Sequence, residues 1–166
     1  MLVGKGVSDG IGLGKVVILK ENELKIEKLK IEDISAEKQL VYNAIKEVEN
    51  EIEYLIQNIS GTEKEIMQAY LMILQDPNLT EEIIKIIEQE KCNSSYAVEN
   101  GLNKIIKTFE KMDDPYMSAR SRDIEDMKKR ILSKLLNIKE IDLSKLPENT
   151  ILVAKELSTS DIAKLD

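Results

Sequence analysis

Val41-Tyr42-Asn43-Ala44-Ile45-Lys46-Glu47-Val48-Glu49-Asn50-Glu51-Ile52-Glu53-Tyr54-Leu55-Ile56-Gln57-Asn58-Ile59 is the stretch on which the fold turns. Within it Val41, Ile45, Val48, Ile52, Leu55 and Ile59 step by 4, 3, 4, 3 and 4 residues, which places all six on one stripe of a long helix. The pattern switches on from Ser35. Glu47, Glu49, Glu51 and Glu53 spread around that helix instead of converging, so they form a solvated face and not a metal site or an acid–base pair. Six apolar residues on one stripe demand partner helices.

Those partners follow in the chain. Ser60-Gly61 stops the first helix, and Thr62 with Glu65 matches a capping box that starts a second one carrying Ile66, Met67, Tyr70, Ile73 and Leu74. In Asp76-Pro77 the proline suits a first helical position, where its missing N–H would be unpaired anyway, and Asp76 is the expected N-cap of a helix through Ile83 and Ile87. Ser94 or Ser95 is expected to cap a fourth helix with Val98, Leu102, Ile105 and Phe109. Asp114-Pro115 repeats the earlier device and opens a fifth, with Met117, Ile124, Met127, Ile131 and Leu135. Leu146-Pro147 ends the helical region, Thr150 to Ala154 has the pattern of a buried strand, and Ser158 to Leu165 that of a helix.

Upstream of the first helix, glycines at 4, 6, 10, 12 and 14 precede Val16 to Leu19, the pattern of short strands between tight turns. The helices therefore form an insertion between a first strand and a returning one. A strand pair with one helix is too little to bury an α/β core, so the α/β part is expected to be truncated.

Composition narrows the function. The chain has 166 residues, a formal charge of −7 and an apolar complement of Ile, Leu, Val and Met with one Phe and no Trp. An acidic surface argues against nucleic acid, whose affinity rests on clustered Lys and Arg. Cys92 is alone, which excludes an internal disulfide and suits a reducing cytoplasm. Residues 1–14 hold no signal-peptide core, and no apolar run is long enough to span a membrane. The absence of histidine excludes a Ser or Cys nucleophile activated by one, and phosphohistidine chemistry as well. Gly10-Ile11-Gly12-Leu13-Gly14-Lys15 looks like a phosphate loop at a glance. A phosphate loop needs a helix after its lysine, whereas Lys15 leads into a strand.

The block from Met112 to Arg130 is rich in charge at helical spacing: Arg122–Asp126, Glu125–Lys129 and Asp126–Arg130 are i,i+4 pairs worth a few tenths of a kcal/mol each. Stepping back from Ile131, Met127 and Ile124 lands on Arg120, a guanidinium on or beside an apolar stripe. Two readings stay open for it: a structural ion pair with a nearby carboxylate, or recognition of a partner.

Gly4 to Leu19, Ala69 to Leu79, Asp114 to Arg130 and Ile151 to Asp161 together, in order across the whole chain, resemble Enzyme I of the bacterial phosphotransferase system, the phosphoenolpyruvate-protein phosphotransferase family. The resemblance implies a mostly α fold: a four-helix carrier-docking subdomain at 33–143, inserted into a truncated α/β phosphohistidine subdomain at 1–32 and 144–166. It implies a full-length transferase that takes a phosphoryl group from phosphoenolpyruvate on a downstream histidine, in a Gly-Gly-x-Thr-Ser-His motif, and passes it to the small phosphocarrier protein HPr for sugar uptake. Mg²⁺ and phosphoenolpyruvate would bind in a C-terminal barrel that also makes a homodimer, both outside this chain, so the chain alone would not be catalytic. Docking of HPr would fall to Met72, Ile73, Leu79, Tyr116, Met117 and Arg120. Tyr70 stands where many relatives carry histidine, Thr159 replaces a common proline, and Ile162 stands where relatives often carry threonine, the last departure pointing to unusual tuning or to a divergent regulatory paralogue. A non-catalytic helical adaptor is the alternative, and it requires an exposed heptad seam.

Overall fold

The computed structural model describes residues 8–19, 24–111, 115–138, 141–157 and 159–165, without side chains at 115–119 and 159–160. The long stripe forms α1 (Ile34–Asn58), which begins where the Asp33 carboxylate accepts the Ala36 N–H and buries Val41, Ala44, Ile45, Val48, Ile52 and Leu55. Against it pack α2 (Gly61–Leu74), α3 (Pro77–Glu90), α4 (Ser94–Glu110) and α5 (Pro115–Leu135). With α1's stripe covered internally, the exposed seam that an adaptor would need is absent from it.

The junctions on either side of α2 have local causes. Between α1 and α2 the backbone is extended at Ile59 and Ser60 and left-handed at Gly61, with φ of 69°, a region glycine enters without strain. Helix α2 therefore starts at Gly61 and encloses Thr62, so the expected Thr62–Glu65 box does not mark the start, and Ser60 makes no side-chain cap bond. At α3 the expectation holds: the Asp76 carboxylate accepts the Asn78 N–H at 2.9 Å and Pro77 is the first helical residue. Asp114, the analogous cap of α5, lies outside the described residues.

The start of α4 corrects another expectation. Asn93, not Ser94 or Ser95, occupies the N-cap, both serines are buried inside the helix, and the Ser94 N–H donates to the Glu37 carboxylate at 2.7 Å. A carboxylate from α1 thus satisfies an otherwise orphaned donor at the positive end of α4. The same corner is clamped by Leu29–Ile31 running antiparallel to Lys91–Asn93. Gly101 lets α3 and α4 approach: a Cβ there would meet the Ile83 Cγ1 at 3.0 Å.

The expected strands form as β1 (Lys15–Ile18) and β2 (Thr150–Val153), which pair in parallel with Lys15 opposite Thr150 and Ile18 opposite Val153. The five long helices lie within the crossover between them, as a parallel pair requires a long connection. β2 is not the buried strand expected. Val17 and Leu152 are partly covered, but Val16, Ile18, Ile151 and Val153 are 36–58% exposed, because two strands can shield only one face. Helix α6 (Thr159–Ile162) is shorter than expected, with Ile162 52% exposed. Among the described residues no helix is long and apolar enough to cross a membrane.

Gly14 sets the strand register. A Cβ at this position would lie 2.0 Å from the Asn149 carbonyl oxygen, which accepts the Lys15 N–H. Gly14→Ala should therefore open the strand pair locally. Hydrogen exchange at Lys15 and Leu19, whose N–H groups donate to Asn149 and Val153, should accelerate, while exchange at Ile52 and Ile83 in the helical core stays slow; uniform acceleration would contradict this.

Candidate functional site

A recess with apolar walls lies among α2, α3, α4 and α5, a groove of about 700 Å³. Its walls include Met72 and Ile73 from α2, Asn78 and Leu79 from the start of α3, Ile105 and Phe109 from α4, and Arg120 and Ile124 from α5. The Asp76-Pro77 junction gives the groove its shape, because the chain leaves α2 and starts α3 within two residues. Both helices therefore present terminal turns to one opening.

Four of the six docking candidates, Met72, Ile73, Leu79 and Arg120, line this groove together. Their exposures differ in kind. Met72 is 74% exposed and is the prominent apolar contact on the wall; Ile73 is partly buried; Leu79 is only 4% exposed and belongs to the floor, packed in the core. Leu79 thus shapes the groove more than it offers a surface. Tyr116 and Met117 lie on the first turn of α5, and their side chains are outside the described residues.

Helix α4 contributes residues that the sequence pattern assigned to the core. The buried stripe runs through Val98, Leu102 and Ile106, while Ile105 and Phe109 turn partly outward into the groove. The signal for this was the adjacent pair Ile105-Ile106, which makes the apolar arc wider than one neighbouring helix can cover. The polar rim carries Lys104, bonded to Glu82 at 3.0 Å across α3 and α4.

Arg120 resolves into an ion pair that faces the groove. Its Nη1 lies 3.3 Å from Asp123 Oδ2, with 26% of the arginine side chain and 21% of the aspartate side chain exposed. Burial pushes the Asp123 carboxyl above its ordinary value, opposed by a hydrogen bond from Tyr70 and the charge of Arg120, while the nearby Asp126 carboxylate adds to the rise. Tyr70, on α2, is 2% exposed, so its hydroxyl needs a partner in the interior. Of the other expected pairs, Asp126–Arg130 forms at 3.4 Å, and Glu125 engages Lys128 at 2.7 Å, one residue short of the expected Lys129. Lys128 also bonds Asn103, and Glu51 on α1 receives both Arg130 and Lys134. These pairs lock α5 to α4 and α1. Among the described residues no three acidic, Cys or His side chains converge to hold a metal ion. Cys92 is fully buried, and burial raises its thiol, which makes it a poor nucleophile.

Comparison with known proteins follows the same lines. Residues 3–120 match the family described as PEP-utilising enzyme, N-terminal. The chain is 34% identical over 171 residues to the phosphoenolpyruvate-protein phosphotransferase of Enterococcus faecalis, covering 100% of this chain and 30% of that protein. It is 30% identical over 167 residues to that of Mycoplasma capricolum subsp. capricolum, covering 98% of this chain and 29% of that protein. The chain thus spans about 30% of the length of the curated relatives it matches. Among solved structures, an NMR solution structure of Enzyme I (nEIt) superimposes with a TM-score of 0.88 at 29% identity, over 99% of this chain and 69% of that one. The N-terminal domain of Enzyme 1 - Nitrogen shares the fold at a TM-score of 0.72 and 22% identity, over 95% of this chain and 66% of that one.

The raised Asp123 carboxyl has a consequence for stability. Between its unfolded and its folded value the native state binds more protons than the unfolded state, so this group makes stability fall as pH rises through that window. Asp123→Asn removes the slope. Urea denaturation at a series of pH values from 4 upward should show the variant gaining on wild type with rising pH; a gap that moves the other way would mean that Arg120 and Tyr70 outweigh burial.

Proposed function

Because the chain belongs to the family of PEP-utilising enzymes, whose N-terminal part it matches, we propose that it is the carrier-docking part of a phosphoenolpyruvate-protein phosphotransferase. In the whole protein a histidine outside these residues takes the phosphoryl group from phosphoenolpyruvate and hands it to the phosphocarrier HPr, in the cytoplasm and in the service of sugar uptake. Mg²⁺, bound with phosphoenolpyruvate in a C-terminal barrel that also dimerises the protein, would offset charge on the transferring group. The residues here do the positioning. Transfer between two proteins requires acceptor and donor to meet in line, so a surface that fixes the carrier's orientation lowers the barrier without owning a nucleophile.

The observation that carries this reading is the groove: it gathers Met72, Ile73, Leu79 and Arg120 from α2, α3 and α5 at one opening, apolar inside with a guanidinium and the Lys104–Glu82 pair at its edges. A small carrier could lay an apolar face there and meet Arg120 with a carboxylate or a phosphoryl group, for which a planar guanidinium is better suited than an ammonium. Interfaces of this kind concentrate their energy in a few anchors.

Titration of the chain with isotopically labelled unphosphorylated HPr should show weak, saturable binding. Met72→Ala and Arg120→Gln should each weaken it by about tenfold, the effect of losing one anchor, whereas Glu47→Ala on the exposed side of α1 should leave it unchanged. Arg120→Lys should recover part of the loss. Leu79→Asp is a poor probe, since it would bury a charge in the core and report on folding. Equal losses at Met72 and Glu47, or no binding by wild type, would reject this surface.

Incubation of the chain with phosphoenolpyruvate and Mg²⁺ should add no phosphoryl group by intact-mass measurement, because the acceptor and donor sites lie elsewhere. A stoichiometric gain of one phosphoryl group would overturn the assignment.

A further inference from the structure

We infer that Asp123, beside the Tyr70 hydroxyl, is a positioning residue that orients the Arg120 guanidinium at the groove for the carrier. The inference rests on the docking function proposed above and adds to it two residues that do not themselves line the groove.

Arg120 stands on α5 with about a quarter of its side chain exposed, and a long side chain with that freedom would lose rotamer entropy on docking. Asp123 lies one helical turn further along, and its Oδ2 accepts from Arg120 Nη1, which fixes the plane of the guanidinium before a partner arrives. An exposed aspartate could not do this well, since a solvated i,i+3 pair is weak and competes with water. Asp123 is mostly buried instead, and the hydroxyl of Tyr70, a tyrosine 2% exposed on the neighbouring helix, favours its charged form. The carboxylate draws on both the hydroxyl and the guanidinium to offset its desolvation.

The three groups thus form a chain from the interior to the groove: Tyr70 in the core, Asp123 between helices, Arg120 at the opening, with Ile124 beside it on the groove wall. It also bridges helices, because Tyr70 belongs to α2, which supplies Met72 and Ile73, while Arg120 belongs to α5. The apolar wall and the guanidinium are thereby held in fixed relation. Asp126, the neighbouring carboxylate, is engaged by Arg130 and sits where it disfavours a second negative charge, which strengthens Asp123's demand for Arg120.

The test uses the 166-residue chain as wild type, Asp123→Asn, Tyr70→Phe, Arg120→Gln and the double variant Asp123→Asn/Arg120→Gln, with thermal melts confirming that each is folded. Two readouts are independent. The first is the Arg120 Nε–H resonance in the free chain, identified by its loss in Arg120→Gln: it should be sharp and slow to exchange with water in wild type, fast or broadened in Asp123→Asn, and intermediate in Tyr70→Phe. The second is affinity for unphosphorylated HPr. Asp123→Asn should weaken it about fivefold in the wild-type background and leave it unchanged in the Arg120→Gln background, the non-additivity expected when one residue acts through another. An Arg120 resonance indifferent to Asp123→Asn, or an equal affinity loss in both backgrounds, overturns the positioning role. Failure of wild type to bind HPr at all overturns the docking reading instead, and the Arg120 resonance then decides the positioning alone.

Discussion

A helix of 25 residues with Val41, Ile45, Val48, Ile52 and Leu55 on one side cannot stay solvated along its length, and the rest of the helical block is arranged to relieve it. Each of those side chains stabilises the fold by roughly 1.5–3 kcal/mol when fully buried. No single helix of 14 to 21 residues covers that stripe, so α2, α3, α4 and α5 all reach α1. The polar contacts follow the same axis. Glu37 near the start of α1 caps α4, and Glu51 further along receives Arg130 and Lys134 of α5, so the central helix fixes its neighbours at both levels. Those bonds add direction to a burial force that has none.

The groove is what remains when four helices are fastened to a fifth. Helices α2 and α3 are joined by a cap that ends one and starts the other within Gln75 and Asp76, so both turn from a common corner beside the opening. Ile105, Phe109, Ile73 and Met72 border the resulting opening, and the two half-buried residues from α4 could close it only by drawing that helix off α5, its most extensive neighbour. Lys128, bonded to Asn103, ties α5 to α4 along that contact. A rigid opening between fixed walls costs a partner less to enter than one that must first be formed.

Much of this was legible in the sequence where the cause is local. The stripe of α1, the Asp76-Pro77 start of α3 and the strands flanking the helices all follow from spacing, capping and φ restriction within a few residues. What escaped depends on contacts between residues far apart in sequence. Ser94 was a reasonable cap by its chemistry, yet the donor at that helix start is met by Glu37, 57 residues earlier, and no local pattern announces a cap supplied in trans. Ile105 and Phe109 sat on a plausible core stripe, and only the position of α3 shows that Ile106 takes the core place. For Arg120 the ion-pair reading is met by Asp123, and the same side chain stands on the groove wall.

The strand pair obeys a different balance. Two four-residue parallel strands with Val16, Ile18, Ile151 and Val153 largely exposed bury too little to be stable alone. They are joined through a crossover that is itself a packed unit, so closing the pair costs far less chain entropy than an unstructured connection of the same length would impose. The register then depends on the close approach at Gly14 and on Asn149, which adopts a left-handed φ of 58° to turn its carbonyl toward Lys15. Stability is accordingly graded along the molecule: high in the helices around α1, low in the strands. The groove draws its lining from α2 to α5 and from the junction between α2 and α3, and none of it from the strand pair.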